Sequence, residues 1–479
     1  MSEAYGVRYE MVVGLEVHVQ LKTRTKAFCS CSASFGDPPN QNTCPVCLAL
    51  PGALPVLNER AVELAVRAAL SLGCTVHERS IFARKNYFYP DLPKGYQISQ
   101  FDRPLAEHGG VTTGAGRRIG ITRIHMEEDA GKSVHDRFPG FTAIDLNRSG
   151  VPLIEIVSEP VIRGSDEAGA YLRAMKEILL YAGVSDCSME EGSLRVDANV
   201  SARPKGETAF RTRTEIKNLN SFSNVAKALE LEFARHCATH DARGTIHQQT
   251  MLFDAAAGEV RPARSKEESH DYRYFPEPDL PPLVLTAAYI EGAKSSLPEF
   301  PAARRARFAS ALGLSPADAE VLSASRAVGD YFEEVVKSAL DPKASANWVM
   351  GEVLASLNEA GGEIEDFPVK APQLGEIIAL VRSGTLSHTA AKAVLATLLK
   401  EGGSPRAIAE RDGLLQVGDD TALLTWIDEV LAENANEAKR YAGGEKKLQG
   451  VLVGLVMKKS KGRADPKKVN QLLAERAGK

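Results

Sequence analysis

Charged residues alternate with short apolar runs between Ile124 and Pro160, in the sequence IHMEEDAGKSVHDRFPGFTAIDLNRSGVPLIEIVSEP. The chemically capable side chains in it are those of His125, Glu127, Glu128, Asp129, Lys132, Asp145, Arg148, Glu155 and Glu159. A protein core does not hold unpaired carboxylates, so we interpret the stretch as the strand-rich wall of a pocket. Inward-facing carboxylates there would bind a hard cation beside a phosphate-bearing substrate. From this stretch alone, a salt-bridged sheet surface is the alternative.

A second candidate for metal binding lies earlier in the chain. Apolar and polar residues alternate from Tyr9 to Leu21, which predicts a strand with Glu16, His18 and Gln20 on one face. A Glu-x-His pair on a strand can ligate a metal, although such a pair also occurs on ordinary surfaces. The carboxylate-rich stretch further along the chain favours the metal interpretation.

Four cysteines form the third pattern. Cys29 and Cys31 make a C-x-C pair, Cys44 and Cys47 make a C-x-x-C pair, and a loop rich in Gly, Pro and Asn joins them. Two thiolate pairs on tight turns are typical of a closed tetrahedral zinc site, so we predict structural zinc within residues 29–47. Buried or redox-active cysteines are the alternative.

Basic residues occur where a phosphate-bearing substrate would need them. A strand read from MEEGSLRVDANVSARP places Arg195 and Asp197 on one face, and the following strand carries Lys217. These cations could bind phosphate or lie on an ordinary surface. The tail has a local excess of cations that suits an RNA backbone unless it is only a solvated surface. Its lysines include Lys446, Lys447, Lys458, Lys459 and Lys461.

Two nucleotide-binding motifs are excluded by their spacing. GAGRRIG, at Gly114–Gly120, lacks the G-x-G-x-x-G spacing and lies in a hairpin-like region. Gly131-Lys132-Ser133 resembles the end of a P-loop, but Met126 stands where the first glycine is required. We therefore expect neither a Rossmann nor a P-loop protein.

The length, net charge and cysteine count of the chain predict a globular protein of several domains. At 479 residues the chain is too long for one ordinary core. A net charge of −4 gives no general attraction to polyanions, so any RNA contact needs a local basic patch. The seven cysteines argue against a disulfide framework. We expect a cytoplasmic protein without a membrane partner, because no signal peptide or apolar run of roughly 20 residues is present.

The elements that position these residues fall into three parts. Strand patterns, loops and helices are mixed up to about residue 295, and helical patterns follow from Ser296. Gly402 to Arg406 reads as a linker. We predict an α+β fold with a mixed β-rich domain at residues 1–295, an all-α helical domain at 296–402 and a small helical tail domain at 403–479.

Seven long motifs, in fixed order, resemble the GatB family, the B subunit of the bacterial aspartyl/glutamyl-tRNA amidotransferase. They are GLEVHVQLKT, RKNYFYPDLPKGYQISQ, HMEEDAGKS, DLNRSGVPLIEIVSEP, EEGSLRVDANVS, EIKNLNSF and DYRYFPEPDLPPL. The resemblance covers essentially the whole chain. It implies a β-rich "cradle" domain that carries the active site, followed by a helical domain and a tail that hold tRNA.

The resemblance also implies a ligase reaction that forms a carbon–nitrogen bond. The protein would use ATP and Mg²⁺ to phosphorylate the side-chain carboxylate of glutamate misacylated on tRNA-Gln, or of aspartate on tRNA-Asn. Ammonia from glutamine hydrolysis on an amidase A subunit would then cross a polar channel and form the amide. A small C subunit would complete a heterotrimer. Phosphoryl transfer needs positioning and charge neutralisation more than a protein nucleophile, which agrees with the residues above.

Site residues follow from the same resemblance. The family's catalytic magnesium site corresponds to Glu16, His18, Glu128 and Glu155. Its ATP-phosphate contacts are assigned to Arg195, Asp197 and Lys217. The mouth of the ammonia channel is assigned to Lys85 and Tyr87. Only some family members keep the four-cysteine zinc site, and this sequence has all four cysteines.

Two other functions compete with the ligase. One is a non-catalytic adaptor that only presents aminoacyl-tRNA to the amidase, which would leave the carboxylate-rich stretch unexplained. The other is a metal-dependent hydrolase, which the absence of a positioned base with an orienting partner disfavours.

Overall fold

The computed structural model describes residues 5–263, 272–416, 420–460 and 462–477. It divides the chain into two compact units, Met1–Phe300 and Pro301–Lys479. The first unit contains a large sheet with helices, and the described part of the second is helical. The predicted α+β fold class is confirmed.

Most strands of the first unit belong to one large sheet. In chain order the strands are β1 Tyr9–Gln20, β2 Thr75–Val76, β3 Arg79–Ser80, β4 Ala83–Asn86, β5 Tyr96–Ser99, β6 Ala106–Thr112, β7 Arg118–Glu128, β8 Lys132–Phe138, β9 Phe141–Asp145, β10 Pro152–Ser158, β11 Leu194–Pro204, β12 Thr214–Leu219, β13 Thr250–Asp254, β14 Glu259–Pro262, β15 Phe275–Pro276 and β16 Leu283–Val284. The large sheet has the order β14-β13-β12-β11-β1-β10-β7-β6-β2, and small sheets are formed by β15-β4-β5, β16-β3 and β8-β9. Neighbours in the large sheet are antiparallel except β12 and β13, which are parallel.

Strand β1 lies at the centre of the large sheet, between β10 and β11. Its alternation buries Val17 and Val19 completely and leaves Glu16 and His18 on the opposite, open face. The buried face packs against three helices. These are α1 Glu59–Ser71, α2 Ser165–Tyr181 and α3 Phe222–Asp241, and a short α4 follows at Ala287–Ser295. One face of the sheet thus packs into the core, and the other presents polar side chains that can bind ligands.

The second unit is built from short helices. They are α5 Pro301–Ala311, α6 Pro316–Leu322, α7 Arg326–Ala339, α8 Pro342–Trp348, a π-helix Val349–Val353, α9 Leu354–Ala360, a 3₁₀ turn Ile364–Asp366, α10 Ala371–Arg382, α11 His388–Glu401, α12 Pro405–Arg411, α13 Asp420–Glu433, α14 Ala435–Ala442, α15 Leu448–Lys459 and α16 Pro466–Ala477. One core includes Phe308 and extends to Ile408 and Ala409, beyond the predicted boundary at residue 402. A second core runs from Leu423 to Leu473. Within the described ranges, no helix has the length and apolar character of a membrane span.

Candidate functional site

A row of polar side chains crosses the open face of the large sheet. His18 of β1 lies opposite Glu155 of β10 on one side and Arg195 of β11 on the other. Glu155 in turn lies opposite His125 of β7. Directly paired residues of antiparallel strands share a face, so four strands contribute to one line of functional groups.

The first carboxylate group consists of His18, Glu127 and Glu155, whose ligand atoms lie within 4.8 Å of one another. His18 Nε2 is 3.3 Å from a Glu155 oxygen. His125 Nε2 lies 3.1 Å from Glu127 and 3.5 Å from Glu155. Ser99 Oγ of β5 donates to Glu127 at 2.7 Å. The group is therefore enclosed by residues of four strands, β1, β5, β7 and β10.

Charge pairing inside this group outweighs the cost of burial. Burial alone would raise the pKa of Glu155, but hydrogen bonds from His125 and His18 hold it well below its ordinary value. Burial likewise opposes the charged form of His125, yet the Glu127 and Glu155 carboxylates raise its pKa to about 9. The pKa of Lys85 is also raised: burial would lower it, but the charge of Glu127 outweighs the effect of burial. The two carboxylates are thus ionised and faced by cations.

The second carboxylate group consists of Glu16, Asp197 and Glu215, also with ligand atoms within 4.8 Å of one another. Glu16 of β1 is directly opposite Asp197 of β11. Lys217 Nζ lies 3.2 Å from both Asp197 and Glu215. Burial and then the charge of Glu155 raise the pKa of Glu16. This group already contains a fixed cation.

A β-bulge brings Lys217 to the second group. The register of β11 and β12 shifts between Val196 and Ala198, so that Asp197 faces two residues of β12. One of them, Asn218, has φ 66° and donates from its side chain to the Phe253 carbonyl at 2.9 Å. Bulges commonly re-aim a side chain beside a functional site, and here Lys217 is turned toward Asp197.

Glu128 lies apart from both groups, although the family resemblance assigns it to the magnesium ligands. Its carboxylate contacts Lys94 Nζ at 2.5 Å and accepts from the Ile98 amide at 3.0 Å. Within the described residues neither carboxylate group contains Glu128. Its neighbour Glu127 occupies the place next to His18. On β7 the apolar Met126 shares a strand face with Glu128 and not with Glu127.

The remaining predicted site residues of the first unit border these groups. Arg195 lies at the end of the polar row and pairs with Asp129 at 3.0 Å. Lys85 Nζ lies 4.9 Å from the centre of the Tyr272 ring, and Tyr87 meets the same ring edge-on. Lys85 and Tyr87 therefore share one wall beside Glu127. Their assignment to a channel stays a prediction.

A cavity of about 510 Å³ adjoins the second carboxylate group. Its volume lies within the range of roughly 300–1,000 Å³ that small-molecule sites occupy. Its lining includes Gly14 and the polar or aromatic side chains of Glu16, Arg123, Asn199, Phe210 and Arg213. Arg213 donates to Asn199 at 3.0 Å, and Asn199 donates to Glu16 at 3.0 Å. This hydrogen-bonded chain connects the cavity to the carboxylates.

The four cysteines converge as predicted. Cys47 Sγ lies 3.6 Å from Cys29, 3.8 Å from Cys44 and 3.9 Å from Cys31. Tetrahedral zinc with bonds of about 2.3 Å sets its sulfur ligands about 3.8 Å apart, whereas a disulfide would need about 2.05 Å. The donor set and spacing fit structural zinc.

The predicted tRNA-binding lysines differ in their surroundings. Lys446, Lys447 and Lys458 are exposed. Lys459 instead pairs with Glu429 at 2.8 Å and Glu433 at 2.6 Å. Lys461 lies outside the described residues. Of these five predicted lysines, the three exposed ones, Lys446, Lys447 and Lys458, have no ion pair with a described residue.

Comparison with known proteins relates almost the whole chain to one family. Residues 11–291 match the family described as the GatB/GatE catalytic domain, and residues 330–476 match the GatB domain. The chain is 52% identical over 476 residues to the B subunit of the aspartyl/glutamyl-tRNA(Asn/Gln) amidotransferase of Geobacter sulfurreducens, which covers 98% of this chain and 99% of that protein. It is 54% identical over 470 residues to the protein of the same name from Pelodictyon phaeoclathratiforme, covering 98% and 99%. The protein of the same name from Thermosynechococcus vestitus is 51% identical over 487 residues, which cover 99% of this chain and 97% of that protein.

Proposed function

The chain belongs to the GatB family of tRNA-dependent amidotransferases, and from this we propose that it activates the amino acid on misacylated tRNA with ATP. The substrate would be glutamate on tRNA-Gln, aspartate on tRNA-Asn, or both. The first carboxylate group carries the proposal, because phosphoryl transfer requires a cation site and positive side chains at one place.

The proposed reaction has two steps. A carboxylate oxygen of the aminoacyl side chain attacks the γ-phosphorus of ATP, and ADP leaves. Ammonia then attacks the carbonyl carbon, the carbon–oxygen bond to phosphate breaks, and a proton is released as the amide forms. Glutamine hydrolysis on a partner amidase A subunit would supply the ammonia, and a C subunit would complete a cytoplasmic heterotrimer.

The donor set of the first carboxylate group fits a divalent cation. The oxygens of Glu127 and Glu155 and the imidazole of His18 converge within 4.8 Å, and carboxylate oxygens are preferred by Mg²⁺. When bound, Mg²⁺ would neutralise charge on the phosphates of ATP. Glu16, which precedes His18 on the same strand face, would complete the set from the second group. Glu128 remains a predicted ligand that needs a direct test.

The cationic side chains would surround the transferred phosphoryl group. Arg195 closes one end of the polar row and Lys217 lies in the second carboxylate group. Asp197 holds Lys217 in place through its 3.2 Å contact. Lys85 and Tyr87, on the wall beside Glu127, would receive ammonia from the channel. These positions allow charge to be neutralised without a protein nucleophile.

The cavity beside Glu16 is our proposed nucleotide pocket. Its volume suits a nucleotide, and Arg123 and Arg213 supply positive charge at its wall. Phe210, 67% exposed, offers an aromatic face on which a base could stack. The γ-phosphate would then point toward the two carboxylate groups.

The tail is proposed to bind the tRNA backbone through its exposed lysines. Neighbouring residues provide a matched test, because Lys458 is exposed and Lys459 is paired with two glutamates. Lys458→Ala should weaken tRNA binding and reduce the salt dependence by about one phosphate contact. Lys459→Ala should change that salt dependence less. Equal effects of both substitutions would contradict this use of the tail.

The decisive experiment follows ATP consumption by the assembled complex. The protein is combined with its A and C partners, Glu-tRNA-Gln, labelled ATP and Mg²⁺, without an ammonia donor. We expect ADP release that requires the charged tRNA and is lost in Glu155→Gln. Bound tRNA without ADP release would instead make the chain a non-catalytic adaptor.

A further inference from the structure

Lys26 is a buried lysine that contacts the four-cysteine group. Its side chain is 0% exposed. Its Nζ donates to the Asn42 carbonyl at 2.7 Å, the Leu146 carbonyl at 3.1 Å and Cys47 Sγ at 3.4 Å. An ammonium has three protons, so each of them has an acceptor.

Among the described residues no carboxylate contacts this ammonium, whereas a cysteine sulfur does. Burying a lone charge is costly. In the described ranges, no carboxylate forms an ion pair with Lys26, and both of its oxygen acceptors are neutral carbonyls. The sulfur of Cys47 is the one contacting atom that can carry a full negative charge.

Zinc bound by four thiolates has an excess of negative charge. Four negative sulfurs exceed the two positive charges of the metal, which leaves a partly buried anion with Cys47 as its buried member. We propose that Lys26 is the built-in counter-ion of the four-cysteine site and that it slows the loss of zinc. The N–H···S contact neutralises part of the excess charge and fixes the direction of the Cys47 sulfur.

The backbone holds Lys26 in this role. Its amide donates to the Cys31 carbonyl at 3.0 Å, so the residue is part of the cysteine fold itself. Its aliphatic stem passes Gly150, where a Cβ would lie 3.6 Å from Lys26 Cδ. Main chain and side chain therefore fix the ammonium from several sides.

A role in packing alone predicts a different thermal behaviour. If Lys26 only fills space, Lys26→Met lowers the Tm of the zinc-free and zinc-loaded protein alike. If Lys26 is a counter-ion, its charge is compensated only while the thiolates are present. The zinc-free Tm should then be unchanged or higher in Lys26→Met, and the gain in Tm on adding zinc should shrink.

The test uses the full chain loaded with zinc and challenged with a coloured chelator. We expect one zinc per wild-type chain. Removing a partner of a metal ligand usually lowers metal affinity by about 10–100-fold, so at an unchanged rate of zinc binding Lys26→Met should release zinc faster by about the same factor. Lys26→Arg, which keeps the charge, should release zinc within a few-fold of wild type. Lys22→Met removes an exposed lysine nearby and serves as the matched control.

Each outcome decides the proposal. Wild-type release rates in a folded Lys26→Met protein would overturn it, as would equal losses of Tm with and without zinc. If Lys26→Met does not fold, Lys26→Gln, which keeps N–H donors but no charge, takes its place in both measurements. A wild-type chain that takes up no zinc would refute the zinc site and the counter-ion together, while leaving the ATP-dependent activity untouched.

Discussion

The two carboxylate groups on the open sheet face meet at β1 but are neutralised in different ways. The first has imidazoles, His18 and His125, against its carboxylates. The second has the ammonium of Lys217. Burial favours the neutral imidazole, but the neighbouring carboxylates outweigh burial and raise the pKa of His18 and His125. A metal ion that binds there must displace the imidazole proton, whereas a lysine keeps its charge. The first group is thus suited to exchange protons for a metal ion, and the second to hold phosphate beside a permanent cation.

The largest expected difference comes from removing one carboxylate of each group. Glu155→Gln should lower tRNA-dependent ADP formation by about 10²–10³-fold, because the charge shared by His18, His125 and the metal is lost. Asp197→Asn should lower it by about 10-fold, since Glu215 still faces Lys217. Steady-state ADP release, with tRNA affinity as the control, measures both. Equal losses would remove the distinction between the groups.

Adjacent glutamates on β7 sharpen the position of the metal. Glu127→Gln should raise the Mg²⁺ concentration needed for half-maximal activity by about 10-fold or more. Glu128→Gln should suppress amide formation through loss of the Lys94 pair while leaving that concentration unchanged. Measuring the activity of both variants over a range of Mg²⁺ concentrations shows which glutamate affects metal binding. A shift in Glu128→Gln alone would restore the assignment made from sequence.

The permanent cation of the second group should act mainly on ATP binding. Lys217→Gln removes the charge between Asp197 and Glu215 and should raise the KM for ATP by about 10-fold, with a smaller change in kcat. Initial rates over a range of ATP concentrations test this. A loss confined to kcat would place Lys217 in the chemical step instead.

The smallest expected effect on activity comes from a buried contact behind the second group. Glu232 of α3 accepts from Thr214 at 2.7 Å and from Arg235 at 2.9 Å and 2.6 Å. Burial would raise the pKa of Glu232, but Arg235, His236 and Thr214 lower it to about 2 from 4.5. Glu232→Gln should lower stability by on the order of 2–3 kcal/mol at neutral pH, with activity changed less than in the variants above.

The pH dependence of that loss has a fixed sign. The depressed pKa contributes stability above about pH 4.5, and this contribution disappears as the pH falls toward about 2. The difference in Tm between wild type and Glu232→Gln should therefore narrow as the pH is lowered from 5 toward 3. A difference independent of pH would show that packing, not charge, explains it.

Sequence reasoning succeeded where the relevant residues are close in the chain. The cysteine spacing predicted the convergence of Cys29, Cys31, Cys44 and Cys47, and the alternation of β1 predicted the face shared by Glu16 and His18. These patterns depend only on local geometry.

Strand register decides which side chains meet on the open face, and the sequence did not show it. Glu127 lies beside His18, and the assignment of Glu128 as a ligand stays a prediction. Glu215 was missed because it joins Asp197 only through the pairing of β11 with β12 and the bulge at Asn218. Register between strands far apart in the chain is not encoded in any short motif.

The central place of β1 has a consequence for biosynthesis. Its two neighbours are β10, ending at Ser158, and β11, ending at Pro204. At roughly 5–20 residues per second, a ribosome needs on the order of 10–40 seconds to reach the second neighbour. Both edges of β1 are unpaired until β10 is made, and one edge stays unpaired until β11 is made. An unpaired strand edge with exposed valines is the situation that recruits chaperones and favours aggregation. Slow-codon or chaperone-depletion experiments should therefore affect the yield of this protein through its first strand.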